Sequence, residues 1–223
     1  MQLSLTMIVY NGAAFIEEAL QSAYKQTRVP DEIVVWNDGS TDETLTILNR
    51  HQDRVRILNS PENQGAMLAR RAVVSAAASP YVAFLDADDR LHPEALSSFV
   101  VAASKDPGAD LIFGRMQNFY DLPATKHLPR GSEWFHARAN GNMLAKREAF
   151  LSASQHAELT ERSEFPSWYQ AGKAIRLREV QIDAPVCERR IHESNAGRHP
   201  EMKREMMMML KRHIDQQRGS ENR

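Results

Sequence analysis

Cysteine is the scarcest functional residue in this 223-residue chain, which has only Cys187. One thiol excludes an internal disulfide and a Cys-rich zinc site, and its simplest reading is a small buried apolar residue. A reducing compartment is therefore allowed. Neither charge sign is in excess: 28 Lys and Arg stand against 29 Asp and Glu, a net charge of −1. That balance lacks the basic footprint of a nucleic-acid binder. No apolar run is long enough to cross a bilayer, since Ala72–Leu85 is short and broken by Ser75, Ser79 and Pro80. No basic region precedes the apolar N-terminal stretch, so a secretory leader is not expected. The expectation is a cytoplasmic chain that meets a membrane only from outside. Internal repeats and low-complexity linkers are lacking too. What remains is 42% hydrophobic and 26% charged residues, enough for a core and a solvated surface.

The first half alternates between two periods. Leu3–Val9 reads as a strand ending at Tyr10-Asn11-Gly12, followed by apolar residues at helical spacing (Phe15, Ile16, Ala19, Leu20, Ala23) through Gln26. Glu32–Trp36 is a second strand, and Thr41 is placed to cap a helix that runs to about Gln52. Val55–Leu58 is a third strand, Gly65–Ala77 a helix, Tyr81–Leu85 a fourth strand, Pro93–Ala103 a helix and Leu111–Phe113 a fifth strand. This spacing predicts right-handed βαβ units and a mostly parallel sheet flanked by helices. Ligands of such sheets sit beyond the carboxyl ends of the strands.

After Asn118 the rhythm fades. Residues 121–132 read as a loop, 147–154 and 164–171 as short helices, 174–178 and 186–190 as short strands. Glu201–Gln217 reads as a last helix with four consecutive methionines, Met206–Met209. The whole reads as one domain over 1–200, with halves 1–115 and 116–200, then a helix and tail over 201–223. The basic residues of that helix (Lys203, Arg204, Lys211, Arg212) suit an anionic membrane surface, although a solvated face looks the same. Its methionines suit core packing or a second copy of the chain.

Three polar clusters fall at the carboxyl ends of predicted strands. In Asp86-Ala87-Asp88-Asp89, three carboxylates repel one another unless a cation sits among them. Asp86 and Asp88 can present oxygens to Mg²⁺ or Mn²⁺, and an Asp-rich turn capped by Asp89 explains the same residues. Asp38, in Asn37-Asp38-Gly39-Ser40, can accept the imide N–H of a uracil ring or simply close a tight turn. Tyr10 can stack on such a base or cap the sheet. Arg70 and Arg71 follow Asn63-Gln64-Gly65 and can pair with phosphate or lie on an exposed helix face.

Taken in order, Ile8-Val9-Tyr10-Asn11, Val34–Asp42, Asn63-Gln64-Gly65 with Ala69-Arg70, and Phe84–Asp89 resemble the family-2 inverting glycosyltransferases of GT-A fold. The resemblance is close over residues 3–115 and loose to about residue 198. It implies a Rossmann-like, mostly parallel central sheet with a short C-terminal acceptor-side region. It also implies a nucleotide-sugar donor (UDP- before GDP- or dTDP-linked), a divalent metal, Mn²⁺ or Mg²⁺, at Asp-x-Asp, and transfer with inversion to a saccharide, lipid-linked or other hydroxyl acceptor. Carried onto this chain, donor binding falls to Tyr10, Asn11, Asp38, Arg70, Asp86, Ala87 and Asp88, and metal binding to Asp88 and Asp86. Asn37 departs from the family's usual first Asp.

The family's acid pair maps less cleanly. Glu164 is followed by Phe165, and Glu161 by Arg162, where the family has Asp. Glu164 is the first choice for the base and Glu161 the second; a helix N-terminal acid favoured by the dipole is the plain alternative. Within Arg189–Asn195, His192 is placed to complete the metal shell or touch phosphate, and Arg189 or Arg190 to neutralise it. His136, Asn140 and Asn142 fall in the stretch expected to wall the acceptor. Bacterial surface-polysaccharide or glycoconjugate synthesis is the setting the family suggests. A degenerate domain that binds nucleotide-sugar or a partner is the rival reading. A nucleotidyltransferase ranks lower, because Tyr10–Ala14 lacks basic residues.

Overall fold

The computed structural model describes residues 1–120 and 133–192. Alternation comes first, as the sequence predicts: β1 (Leu3–Val9), α1 (Ile16–Tyr24), β2 (Glu32–Asn37), α2 (Thr44–Asn49), β3 (Arg56–Asn59), α3 (Ala66–Ala76), β4 (Tyr81–Asp86), β5 (Arg90–Leu91), α4 (Ala95–Lys105) and β6 (Leu111–Tyr120). Then come β7 (Phe135–His136), a 3-10 turn (Asn140–Asn142), β8 (Met143–Lys146), α5 (Arg147–His156), α6 (Phe165–Ala174) and β9 (Glu179–Ile191). The nine strands form one sheet in the order β3-β2-β1-β4-β8-β6-β9-β5, with β7 also on β6. The first four strands are mutually parallel, whereas β8 runs antiparallel to both neighbours, β4 and β6.

Strand alternation divides the core into two layers. Leu3, Leu5, Met7 and Val9 of β1, with Ala83 and Leu85 of β4, face one layer, packed with Ile16 and Leu20 of α1 and Leu96 and Phe99 of α4. Val82 and Phe84 of β4 face the other, with Val73 of α3, Phe150 of α5 and Trp168 of α6. The polar face of β1 is buried as well: Thr6 donates to the Ala83 carbonyl at 2.9 Å and Ser4 to Glu32 at 2.5 Å. Trp168 fixes α6 on α5. Its ring stacks on Phe150 at 4.6 Å, and its indole N–H reaches the Phe150 carbonyl and Ser154 Oγ at 3.2 and 3.1 Å.

Several local expectations are corrected. Thr41 does not cap α2, which begins at Thr44; its backbone N–H is held instead by Asn11 Oδ1 at 2.8 Å. Residues 174–178 are not a strand: α6 ends at Ala174, and Arg176 adopts a positive φ of 61° before β9 begins. β6 and β9 are single strands of 10 and 13 residues where short ones were expected, because both carry polar residues that mask their period. The expected loop over 121–132 and the helix over 201–217 lie outside the described residues. No helix among the described residues is long and apolar enough to cross a membrane.

Chain contacts divide into two compact units. The first comprises Met1–Asn118 with Gly131–Arg189, and the second Phe119–Arg130 with Arg190–Arg223. Within the second, the guanidinium of Arg190 lies 4.5 Å over the ring of Phe119.

Candidate functional site

The carboxyl ends of β1, β2 and β4 converge within the first unit. After β1, Tyr10 is 50% exposed and Asn11 adopts φ 49°, which an Asn tolerates better than most residues. The Asn11 backbone N–H donates to Ser40 Oγ at 2.9 Å, and its Oδ1 receives the Thr41 N–H. Gly12 donates to Thr44 Oγ1 at 2.9 Å and Ala13 to Asp42 Oδ2 at 3.1 Å. Thus the first loop is sewn to the second, and Tyr10 is held out as the exposed aromatic between them. Burial works to raise the Asp42 carboxyl, but donors from Thr44 and Ala13 outweigh it and hold the group below the usual carboxylate range.

Asp38 is 3% exposed and anchors the next turn. Its carboxylate accepts the backbone N–H of Gln64 at 3.1 Å, that of Gly65 at 3.0 Å and the Trp36 indole N–H at 3.2 Å. The Gln64 N–H is shared between both oxygens, the second contact being 3.2 Å, so three N–H donors meet the Asp38 carboxylate. Through them Asp38 holds the Gln64–Gly65 turn. Asn37 is equally committed: its Nδ2 donates to Asn59 at 3.1 Å and its Oδ1 accepts from the Ser40 N–H at 3.3 Å.

That turn starts α3, whose buried face includes Arg70. The Arg70 guanidinium, 8% exposed, meets Asp86 Oδ1 at 2.5 Å. Asp86 ends β4, and its carbonyl accepts the Asp89 N–H at 3.1 Å, closing the turn that carries Ala87 and Asp88. Asp89 points inward, 4% exposed, and accepts from the Cys187 thiol at 3.6 Å. Burial, then the charges of Asp89 and Asp86, push that thiol well above its ordinary range, so it keeps the proton it donates. Cys187 is fully buried, as its scarcity and apolar character suggested; its contact with Asp89 had no sequence signal.

Behind the turn lies Gly141. A Cβ there would stand 3.5 Å from Asp89 Oδ2 and 3.9 Å from Asp86 Oδ2. Its neighbour Asn140 is 5% exposed and has a buried Oδ1 without a hydrogen-bond partner. Asn142 is spent on structure, donating to the Gly114 and Ala137 carbonyls at 2.6 and 3.0 Å. Among the described residues, no group of three or more His, Cys, Asp or Glu side chains is arranged to hold a metal. The side chains that end and follow β4, Asp86 and Asp88, nonetheless offer only oxygen. This set fits a hard cation that takes one or two carboxylates and completes its shell with phosphate oxygens.

Glu164 and Glu161 precede α6. Glu164 is its N-cap residue, in extended conformation, and its side chain makes no cap bond. Glu161 is turned to solvent with 73% of its side chain exposed, while its backbone packs on Gly65. His192 follows the end of β9 and belongs to the second unit.

A family model described as glycosyl transferase family 2 matches residues 4–163. The chondroitin synthase of Pasteurella multocida (strain Pm70) is 36% identical over 118 residues, 52% of this chain and 12% of that protein. The teichoic acid poly(glycerol phosphate) polymerase of Staphylococcus epidermidis is 28% identical over 153 residues, 65% of this chain and 21% of that protein. The chain thus spans only a small part of the length of these relatives. Among solved structures, residues 1–349 of TarS from S. aureus, in complex with UDP-GlcNAc, superpose with a TM-score of 0.69 at 18% identity. The match covers 87% of this chain and 60% of TarS 1–349, and it shows a shared fold.

Proposed function

The chain belongs to glycosyl transferase family 2, and on that premise we propose that it moves a sugar from a UDP-linked donor to an acceptor hydroxyl with inversion, in bacterial surface-polysaccharide or glycoconjugate synthesis. The observation that carries this reading is the meeting of Arg70 with Asp86 at the carboxyl end of β4. A buried cation and a carboxylate turn share one edge with an exposed Tyr10. A diphosphate needs a cationic anchor, and a base needs a flat surface. The solved neighbour TarS was captured with UDP-GlcNAc, which supports uridine as the base.

In this reading Tyr10 stacks on the base, and the Asn11–Thr41 and Asp38–Gly65 ties keep the loops around it in place. Asp86 and Asp88 are the residues that would hold a divalent cation, with Ala87 the small residue between them. When bound, that cation offsets charge growing on the leaving diphosphate. Arg70 supplies a second positive charge at the same edge. Glu164 takes the proton of the acceptor hydroxyl as it attacks the anomeric carbon from the face opposite the diphosphate. Calorimetric titration with UDP-, GDP- and dTDP-sugars, with Mn²⁺ and with chelator, tests this. Metal-dependent binding of a UDP-sugar is the expected result, and no binding across the panel by folded protein refutes the reading.

A further inference from the structure

The turn after β4 is fastened to β9 and α1. Asp86 ends β4 and Arg90 begins β5, so Ala87, Asp88 and Asp89 are all the chain between the two strands. β5 pairs with β9, Arg90 opposite Glu188 and Leu91 opposite Cys187, and the His92 N–H reaches the Val186 carbonyl at 2.8 Å. The Leu91 N–H donates to Ser22 Oγ of α1 at 3.1 Å, and Arg90 is paired with Glu18 of the same helix. Behind the turn, a Cβ on Gly141 would stand 3.2 Å from Cys187 Sγ as well as close to the carboxylates of Asp89 and Asp86. One point thus lies within contact distance of the thiol and of both carboxylates.

Within the turn the side chains part. Asp86 and Asp88 stay half-buried, whereas Asp89 is buried. A carboxylate so placed must find donors inside the protein, and one of them is the Cys187 thiol at 3.6 Å. Burial and the neighbouring charges keep that thiol protonated, so it meets Asp89 as a donor and not as another anion. A cation that also meets phosphate oxygens has to be reached from solvent, which suits the half-buried Asp86 and Asp88 and not Asp89.

We infer that Asp89 is a positioning residue: seated on Cys187 of β9, it fixes the turn that presents Asp88, and it stands outside the cation shell. It acts through backbone, since Asp88 and Asp89 are consecutive and the Asp89 N–H closes the turn on the Asp86 carbonyl. What Asp88 holds rests on the donor reading above; the tie itself does not.

Two measurements test this on Asp89→Ala, Asp89→Asn, Cys187→Ala and the double alanine variant, each checked for fold by circular dichroism. Electron paramagnetic resonance reads the protein-dependent loss of free Mn²⁺ signal with UDP present, and NMR-detected hydrogen exchange reads the amides of positions 89 and 92. Each single alanine variant should weaken Mn²⁺ binding roughly tenfold, keep the parental UDP affinity in chelator and speed exchange at position 89. The double variant should lose no more than either single one, because the two side chains make one tie. Asp89→Asn keeps an oxygen for the thiol and should recover most of the Mn²⁺ affinity. If Cys187→Ala does not fold, Cys187→Ser replaces it, since the shorter Cβ–O bond draws the donor back from Asp89. Parental Mn²⁺ binding in either single alanine variant overturns the inference, as does additive loss in the double variant. Asp89→Asn as weak as Asp89→Ala overturns it too, because Asp89 would then serve the cation by its charge. If the parent binds neither UDP nor Mn²⁺, the donor reading falls; faster exchange in Cys187→Ala then upholds the tie, and unchanged exchange refutes it.

Discussion

Gly65 meets Glu161 backbone to backbone. A Cβ on Gly65 would overlap the Glu161 carbonyl, and Gly65 itself sits at φ 89°, where a side chain is strained. Its N–H is also one of the donors on Asp38. One glycine therefore joins the turn after β3 to the segment that leads into α6 and Glu164. Gly65→Ala combines backbone strain with a clash against main chain, which has no rotamer to escape into. The expected cost is on the order of 2–4 kcal/mol, read as a fall in the midpoint of urea unfolding. A midpoint equal to the parent's would mean that the two segments are not packed as described.

Asp38 carries a separate prediction. In Asp38→Asn one carboxylate oxygen becomes an N–H₂ that faces backbone donors, so the variant loses bonds and gains a repulsive contact. A loss of about 1–3 kcal/mol is expected, with Asp38→Ala at the upper end because the Gln64 N–H and the Trp36 indole N–H then lose their acceptor, while the Gly65 N–H keeps Asn63 Oδ1. If Asp38 instead acted only by receiving a base, Asp38→Asn would weaken UDP binding and leave unfolding untouched.

How far the sequence discloses the site depends on what kind of contact makes it. Strand ends and their polar clusters are local, and Tyr10, Asp38 and Asp86 appear where period and turn residues put them. The partners are not local. Arg70 finds Asp86 across 16 residues, Gly65 finds Asp38 across 27, and Cys187 finds Asp89 across 98. Residue type allowed Asp38 to serve a ligand or a turn, and only the fold shows the N–H groups of Trp36, Gln64 and Gly65 that it receives. The helical period of α1 survives as buried Ile16, Ala19, Leu20 and Ala23, since one face packs on the sheet. β9 could not be read whole, because its 13 residues pass from an exposed start to a buried end and keep no single alternation.

The cluster of Arg138, Glu179 and Tyr169 sets a pH dependence. Burial pushes the Tyr169 phenol up, and its 2.5 Å bond to Glu179 adds to this, giving a value of about 12 against an ordinary 10.0. Burial also raises Glu179, but bonds from Arg138 and Tyr169 outweigh it and leave the carboxyl below its ordinary 4.5. A raised phenol stabilises the fold fully below pH 10 and ceases to do so as pH rises through about 12. A depressed carboxyl stabilises it above 4.5 and ceases to do so as pH falls through its folded value. Ultraviolet titration should therefore show a phenol that ionises only near pH 12, and Glu179→Gln should bring it back toward 10.0. Co-titration of all tyrosines in both proteins would remove this cluster from the account.

Asp88→Ala tests the cation site without relying on turnover. The side chain is proposed to hold metal, so its loss should abolish the difference in UDP affinity between Mn²⁺ and chelator. Tyr10→Ala should weaken UDP binding with metal and with chelator alike, by roughly tenfold for the loss of one stacking surface. Opposite patterns for the two variants separate metal from base recognition. An unchanged Mn²⁺ effect in Asp88→Ala would remove Asp88 from the proposed shell.

The base is the least constrained assignment, and two variants decide it. Glu164 and Glu161 stand on one segment, yet they differ in setting: Glu164 begins α6 and is half-buried, while the Glu161 side chain extends into solvent. A general base must reach the acceptor hydroxyl while the donor sugar shields the site from water, which favours the less exposed carboxylate. Glu164→Gln removes proton acceptance but keeps shape, so kcat should fall by about 10²–10⁴ while UDP-sugar affinity stays that of the parent. Glu161→Gln should leave both nearly as they were, because its backbone, not its carboxylate, makes the contact with Gly65. If the effects are exchanged, Glu161 is the base. If neither variant loses turnover, proton transfer lies with another group and α6 only shapes the acceptor side. Parental donor binding throughout, with no transfer to any saccharide even by the parent, identifies the rival reading of a nucleotide-sugar-binding domain in which Phe165 and Arg162 stand where an acid would be needed.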